Sequence, residues 1–187
     1  MDRRRTLPTL LLLLLLLPPS SLAQCSSQCP PLESGVPIPS LCTGDNFFMD
    51  AKASISYSTC SPADGPSEIV FSELAAAYDF IVVANYFVGC NAGRRESGVY
   101  AYTSQRLHDE HRNVVFISTV KGGGTGACAS WSKTYADFAE STFDYPITSM
   151  PITVADTDYS LRDTLFTSPF PHPSYIILDS SLTVRDK

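Results

Sequence analysis

The chain has 187 residues, with thirteen Lys and Arg against nineteen Asp and Glu and a formal charge of −6. Acidic overall and without a basic cluster past its first residues, it is excluded by charge from nucleic acid and anionic membrane surfaces as partners. No Asn-x-Ser/Thr triplet occurs, so no N-linked glycan is expected.

Arg3, Arg4 and Arg5 form a short positive segment, and Leu10 through Leu17 form an unbroken apolar run. Pro18 and Pro19 end any helix there, and Ser21-Leu22-Ala23 sets small residues where a signal peptidase reads them. Residues 1–23 are predicted to be a signal peptide cleaved before Gln24, with the product secreted or in the secretory-pathway lumen. The apolar run is shorter than the 18 or so residues that span a bilayer. No later segment is long and apolar enough to do so, and no membrane partner is expected. Removing 23 of the 187 residues leaves 164, with ten basic and eighteen acidic side chains and a formal charge of −8.

All six cysteines (25, 29, 42, 60, 90 and 128) lie beyond the predicted cleavage point. An even count in a secreted chain is first a set of disulfides. Residues 24–66 hold Cys25, Cys29, Cys42 and Cys60 among Ser, Pro and Gly, and Pro30-Pro31, Pro37 and Pro39 forbid long elements. This stretch is predicted to be an irregular extension stapled by up to two disulfides, with three connectivities open. Cys25 and Cys29 have a metal-like spacing but no neighbouring histidine, so neither metal nor cofactor is expected. Asp45 to Tyr57 holds a short strand or a short helix, and the pattern does not choose between them.

From residue 67 a single α/β domain is predicted. Phe80 through Val88 is β-branched and aromatic without alternation, as a strand buried on both faces requires. Gly89 and Cys90 end it. Residues 92–111 lack proline and place Val99, Tyr102, Arg106 and Leu107 near a helical repeat. Asn113 through Val120 is a second buried strand, so the three form a βαβ unit with parallel strands and a right-handed crossover. Lys121 to Gly126 is a glycine-rich loop, and residues 129–140 are helical around Trp131, Tyr135 and Phe138. Pro151 to Val154 is a short strand, and Tyr159 to Phe166 a short helix. Tyr175 to Leu178, a turn at Asp179-Ser180-Ser181, and Leu182 to Val184 make an antiparallel hairpin.

This order of elements resembles the thioredoxin-like superfamily, and more closely its redoxin branch. A buried strand leads into Cys90-Asn91-Ala92-Gly93-Arg94-Arg95-Glu96, where the family has a strand, then C-x-x-C or a variant, often followed by Arg and Glu. Pro173 precedes a late strand and hairpin, where the family's proline is cis and faces the active cysteine. Ile152 to Asp156 occupies the slot of a redoxin inserted strand. The resemblance covers about residues 67–187 and implies a central mixed sheet with flanking helices. Gly93 stands where a resident dithiol would have its second cysteine, and the Thr-x-x-Cys of typical peroxiredoxins is missing. The single cysteine looks more like monothiol glutaredoxins, glutathione peroxidases or the N-terminal domain of selenoprotein P. The final helix that the family packs across its sheet does not follow Val184.

A cysteine at a helix start meets unpaired N–H groups and a partial positive charge, both of which favour the thiolate. Arg94 and Arg95 add cationic charge within about a turn. Cys90 is the candidate nucleophile, with a disulfide or a peroxide as substrate and a mixed disulfide or sulfenic acid as product. Cys128 is the candidate resolver, since both cysteines follow the ends of adjacent parallel strands. A redox couple, a structural Cys90–Cys128 bridge and two unpaired cysteines all remain open. Pro173 and Arg94 complete the candidate site.

Other features have plainer readings. His108 and His111 are one turn apart on a solvated helix face rather than in a metal motif. Asp156 and Asp158 fit a turn and a helix cap. Trp131 is a core residue, the Lys121 to Gly126 run lacks the order of a phosphate loop, and Ser132 and Ser174 lack a nucleophile elbow. The expected partners are a protein disulfide, a small thiol or a peroxide. The rival expectation is a non-catalytic binding module on the same scaffold.

Overall fold

The structure is a computed structural model describing residues 44, 47, 51–60, 66–87, 91–121, 124–156, 161, 165–166 and 174–186. The predicted signal peptide lies outside these residues. After a 3-10 turn at Ala51–Ser54 come strand β1 (Ser56–Ser58), strand β2 (Glu68–Val70) and helix α1 (Phe71–Ala77). Strand β3 (Phe80–Phe87), helix α2 (Asn91–Asp109), strand β4 (Val114–Lys121), helix α3 (Gly124–Phe143) and strand β5 (Ile152–Val154) follow. Strands β6 (Ser174–Asp179) and β7 (Val184–Asp186) end the described chain.

The main sheet has five strands in the order β5-β4-β3-β6-β7. Strand β3 runs parallel to β4 from Phe80↔Val114 to Phe87↔Lys121 and antiparallel to β6 from Phe80↔Asp179 to Asn85↔Ser174. Strand β5 adds in parallel to the outer side of β4. The apolar runs of β3, β4 and β6 therefore divide by the two-residue period of a strand. Ile81, Val83, Val115, Ile117, Ile176 and Leu178 face one core; Val82, Ala84, Tyr86, Phe116, Val120 and Ile177 face the other.

Helices α2 and α3 cover the second face with Tyr100, Ala101, Leu107, Trp131 and Ala139. Crossovers of one hand that step in one direction across a sheet keep their helices on one side. Tyr100 pins α2 to the sheet: its hydroxyl is 2.8 Å from the carbonyl oxygens of both Val82 and Ile117, to which it donates. Gly98 lets α2 and α3 approach closely, because a Cβ there would overlap the Phe138 ring.

The first face is covered by chain that the sequence assigned to an extension. Gly44 N–H donates to Val184 O and Phe47 N–H to Leu182 O, both at 2.8 Å, so the strap begins at the β7 side of the sheet. It ends at the β5 side, where Thr59 bridges Val154 and Cys60 N–H donates to Thr153 O at 2.9 Å. Between them Phe47, Ala53 and Tyr57 are buried, and the Phe47 and Tyr57 rings stand edge-on to Phe71 of α1 at 5.2 and 5.8 Å. The boundary drawn at residue 67 does not separate two packing units among the described residues. Within the span Asp45 to Tyr57, where strand or helix was open, the described residues hold the 3-10 turn at Ala51–Ser54 and the start of β1.

Cys60 is joined to Cys128 near the start of α3, with Cα atoms 5.7 Å apart, inside the range a disulfide needs. Two further boundaries differ from expectation. Strand β4 continues through Lys121 because Phe87 is there to pair with it, and α3 begins at Gly124 rather than at 129. Glycine costs little at a helix start, where the first N–H groups have no intrahelical partner. The expected helix at 159–166 is described only at Leu161 and Leu165, both helical and buried, and Leu161 N–H donates to the buried Asp156 carboxylate at 3.1 Å.

The hairpin turn forms where the sequence placed it, around Asp179. Its Oδ1 accepts from Ser181 N–H at 2.9 Å and from Thr183 N–H at 3.0 Å, and its Oδ2 accepts from Arg185 Nε at 2.7 Å. Partial burial pushes this carboxyl up, but the bonds from Ser181, Thr183 and Arg185 outweigh burial and hold it below the usual range. Leu182 closes the turn with a φ of 59°.

Three predictions follow from this packing. Gly98→Ala should lower stability by about 1–3 kcal/mol through overpacking against Phe138, read from denaturant midpoints. Cys60→Ser should lower it by about 2–4 kcal/mol, since the bridge closes a loop of 68 residues in the unfolded chain. A depressed folded-state pKa makes the Asp179 contribution complete above the ordinary aspartate value of about 3.9 and lost as pH falls through the folded value. Asp179→Asn should accordingly flatten the acid limb of stability against pH, measured by thermal melts.

Candidate functional site

The end of β3, the start of α2 and the start of β6 converge at one edge of the sheet. Asn85, near the end of β3, is the register partner of Ser174, the first residue of β6. Cys90 is the residue before Asn91, which opens α2, and Pro173 is the residue before Ser174. Both Cys90 and Pro173 lie outside the described residues. Arg94 is within the opening turns of α2 by its backbone, and Arg95 beside it is exposed. The first turn of α2 contains no acidic residue. Two arginines at the positive end of a helix oppose its dipole, an arrangement that favours a neighbouring anion.

The fourth predicted residue is elsewhere. Cys128 is buried in α3 and bonded to Cys60, so the expected pairing of Cys90 with Cys128, whether redox couple or structural bridge, is not the one formed. The cause is the strap: β1 and the Thr59–Val154 bridge carry Cys60 to the β5 side, beneath α3. Grouping Cys60 with Cys25, Cys29 and Cys42 by sequence proximity concealed this. The alternation of Ile55-Ser56-Tyr57-Ser58, with Tyr57 alone buried, was the available signal that a strand preceded Cys60.

Beneath the start of α2 is an aromatic layer containing a polar chain that sequence reasoning missed. Tyr86 on β3 is fully buried, with ring centroids 5.8 Å from Trp131, 6.1 Å from Tyr100 and 6.4 Å from Tyr175. Tyr175, half-buried on β6, donates its hydroxyl proton to Glu96 Oε2 on α2 at 3.0 Å. The Tyr86 hydroxyl is 3.4 Å from that of Tyr175. Since the Tyr175 proton is committed to Glu96, Tyr86 is the donor in this second bond. Burial, aided by the charge and hydrogen bond of Glu96 and opposed by the bond from Tyr86, pushes the Tyr175 phenol far above the tyrosine range. It stays a protonated donor. The signal in the sequence was a tyrosine opening a buried strand, since a buried tyrosine hydroxyl needs a partner.

His108 and His111 are exposed near the far end of α2, with His108 Nδ1 3.4 Å from Asp109. Among the described residues no helix is long and apolar enough to cross a membrane.

No family model matches the chain, and no curated protein matches it. Solved structures do. The thioredoxin domain of a thiol-disulfide oxidoreductase from Bacteroides vulgatus is 13% identical with a TM-score of 0.52, over 79% of this chain and 89% of that one. A domain of a possible thiol-disulfide isomerase from Cytophaga hutchinsonii is 6% identical with a TM-score of 0.52, over 79% of this chain and 84% of that one. At such identities the likeness is one of architecture: a mixed sheet, two crossover helices on one face and a terminal hairpin. The chain has a thioredoxin-like fold.

Proposed function

We propose that this chain carries out thiol–disulfide exchange through Cys90, outside the cytosol. The observation that supports this most is the position of Cys90 between β3 and α2 in a thioredoxin-like sheet, at a helix start with two arginines and no acid in its first turn. Helix N–H groups and positive charge both stabilise a thiolate, the nucleophile in exchange. The two similar structures described as a thiol-disulfide oxidoreductase and an isomerase are in keeping with this chemistry. The leader at residues 1–23 is in keeping with the compartment.

In the exchange the Cys90 thiolate attacks one sulfur of a substrate disulfide. The substrate S–S bond breaks, its electron pair leaves on the second substrate sulfur, and a mixed disulfide with Cys90 forms. A second thiolate then attacks the substrate sulfur of that mixed disulfide and returns Cys90 as thiolate, with no net change of redox state in the protein. With Cys128 held by Cys60, Cys128 is not the second thiol, and the proposal takes it from a small thiol or from the substrate itself. In this proposal Arg94 is assigned the positive charge that favours the thiolate, and Pro173, the residue before Ser174, the edge of the substrate groove. A peroxide would meet the same thiolate and leave a sulfenic acid.

A second reading, a binding module without turnover, is favoured by Gly93 and by the engagement of Cys128 with Cys60. Alkylation rate against pH separates the two. In the cleaved protein after mild reduction, Cys90 should react with a midpoint clearly below the free-thiol value of about 8.5, and Cys90→Ser should abolish that phase. Reduction of a small disulfide by excess glutathione should then depend on Cys90, while a Cys90-dependent loss of peroxide would redirect the substrate class. A Cys90 that resists mild reduction, or titrates like an ordinary thiol, would leave the binding module.

A further inference from the structure

The disulfide between Cys60 and Cys128 has two unlike ends. Cys128 lies about one turn into α3 and is 2% exposed, whereas Cys60 is half-buried at the rim of the sheet, beside β5. An attacking thiolate therefore meets the Cys60 end, and the electron pair leaves on Cys128. Disulfides with an accessible sulfur are the ones open to exchange.

Two further observations fit a bond that opens and closes within the fold. Cys60 Sγ is 3.5 Å from Thr153 O, so a reduced Cys60 has an acceptor for its S–H where it already stands. The segment that carries Cys60 is also held without the bridge. Thr59 N–H donates to Ser67 O at 3.0 Å, Cys60 N–H to Thr153 O at 2.9 Å, and Ala155 N–H to Ser58 O at 3.2 Å. Tyr57 is buried against Phe71 a few residues earlier. Reduction removes none of these contacts. Both cysteines stay anchored at a Cα separation that suits a disulfide, 5.7 Å, so closing the bond again is an intramolecular step at high effective concentration.

We propose that Cys60–Cys128 is a second thiol–disulfide site, opened in the folded protein by a dithiol that attacks Cys60. It is independent of the reading of Cys90. One thiolate of the dithiol attacks Cys60 Sγ, the Cys60–Cys128 bond breaks, and its electron pair goes to Cys128 Sγ, which takes a proton. The second thiolate of the dithiol then attacks the first sulfur of the same molecule, closing it as a disulfide and expelling Cys60 as thiolate. Cys60 takes a proton and donates it to Thr153 O. Two electrons and two protons pass from the dithiol to the pair. The strap loses its covalent tie to α3 and keeps its backbone bonds to β5 and to Ser67.

The test is the rate at which dithiothreitol reduces this bridge in the purified protein without denaturant, read by quenching, alkylation and mass spectrometry of the Cys60 and Cys128 peptides. The rate should rise in proportion to dithiothreitol. Urea well below the unfolding midpoint should change it by less than about twofold, since attack on the folded state exposes little new surface. With a monothiol instead, the trapped mixed disulfide should be on the Cys60 peptide. The reduced protein should keep its far-ultraviolet circular dichroism, and oxidised glutathione should restore the same pairing. A rate that saturates with dithiothreitol, or climbs with urea along the unfolding curve, makes the bridge a structural staple reached only through unfolding and overturns the proposal. So does a mixed disulfide on Cys128, or a reduced chain that unfolds. Cys128→Ala adds a separate readout: Cys60 should react with iodoacetamide in the folded variant, and a Cys60 protected until urea unfolds the chain counts against the proposal. The wild-type kinetics decide the matter if that variant does not fold.

Discussion

Strand β3 is hydrogen-bonded along both edges and packed on both faces, and the other elements take their positions from it. Its eight residues pair in parallel with β4 and six of them pair antiparallel with β6. Every second side chain enters one of two separate cores. A strand in that position cannot slip by one residue without exchanging Ile81 and Val83 for Val82, Ala84 and Tyr86 at both surfaces. The register of β4 and β6 is therefore determined, and with it the place where α2 starts and the place where β6 starts. Those are the two flanks of the candidate site.

The two faces are closed by different means. Helices α2 and α3 close one by packing on each other and on the sheet, with Gly98 giving up a side chain so that Phe138 can approach. The strap, α1 and the side chains of Leu161, Leu165 and Phe166 close the other. The strap crosses from β7 to β5, and its buried side chains among the described residues are Phe47, Ala53 and Tyr57. Full burial of a large apolar side chain contributes about 1.5–3 kcal/mol, which is comparable with the entropy lost on ordering a handful of residues. A covalent tie at the β5 end shifts that balance, because it lowers the entropy of the unfolded chain rather than adding contacts to the folded one. The same tie engages Cys128, so Cys128 is not the partner of Cys90.

The tyrosine hydroxyls inside the aromatic layer follow a consistent rule. The Tyr100 hydroxyl ends on two strand carbonyls, the Tyr86 hydroxyl on Tyr175, and the Tyr175 hydroxyl on Glu96. Each buried phenol finds an acceptor, as the cost of leaving a buried donor unpaired demands. The chain ends on a carboxylate at the helix margin. Packing and hydrogen bonding are in this way one arrangement, and the layer that fills the second core also holds the Glu96 carboxylate on α2.

Local patterns determined much of this protein. The β-branched runs at 80–88 and 113–120, the proline-free stretch between them and the turn residues at 179–181 each specify an element through period, length and turn chemistry, and their order implies the parallel pair and the hairpin. The position of Cys90 before a helix was readable for the same reason, since strand end and helix start are both local signals. Tertiary structure alone decided what depends on distant parts of the chain meeting. Residues 44–60 give a weak pattern because serines at 54, 56 and 58 sit among the apolar residues, and only the waiting sheet gives Phe47 and Tyr57 a surface to cover. Cys60 chose Cys128 because a strand and a bridge to Val154 brought it there, across a separation that no spacing rule reads. Glu96 and Tyr175 meet for a similar reason, 79 residues apart on elements that become neighbours only once β6 has paired with β3. Periodicity is a property of neighbours in sequence, whereas a disulfide or a cross-element hydrogen bond is a property of neighbours in space.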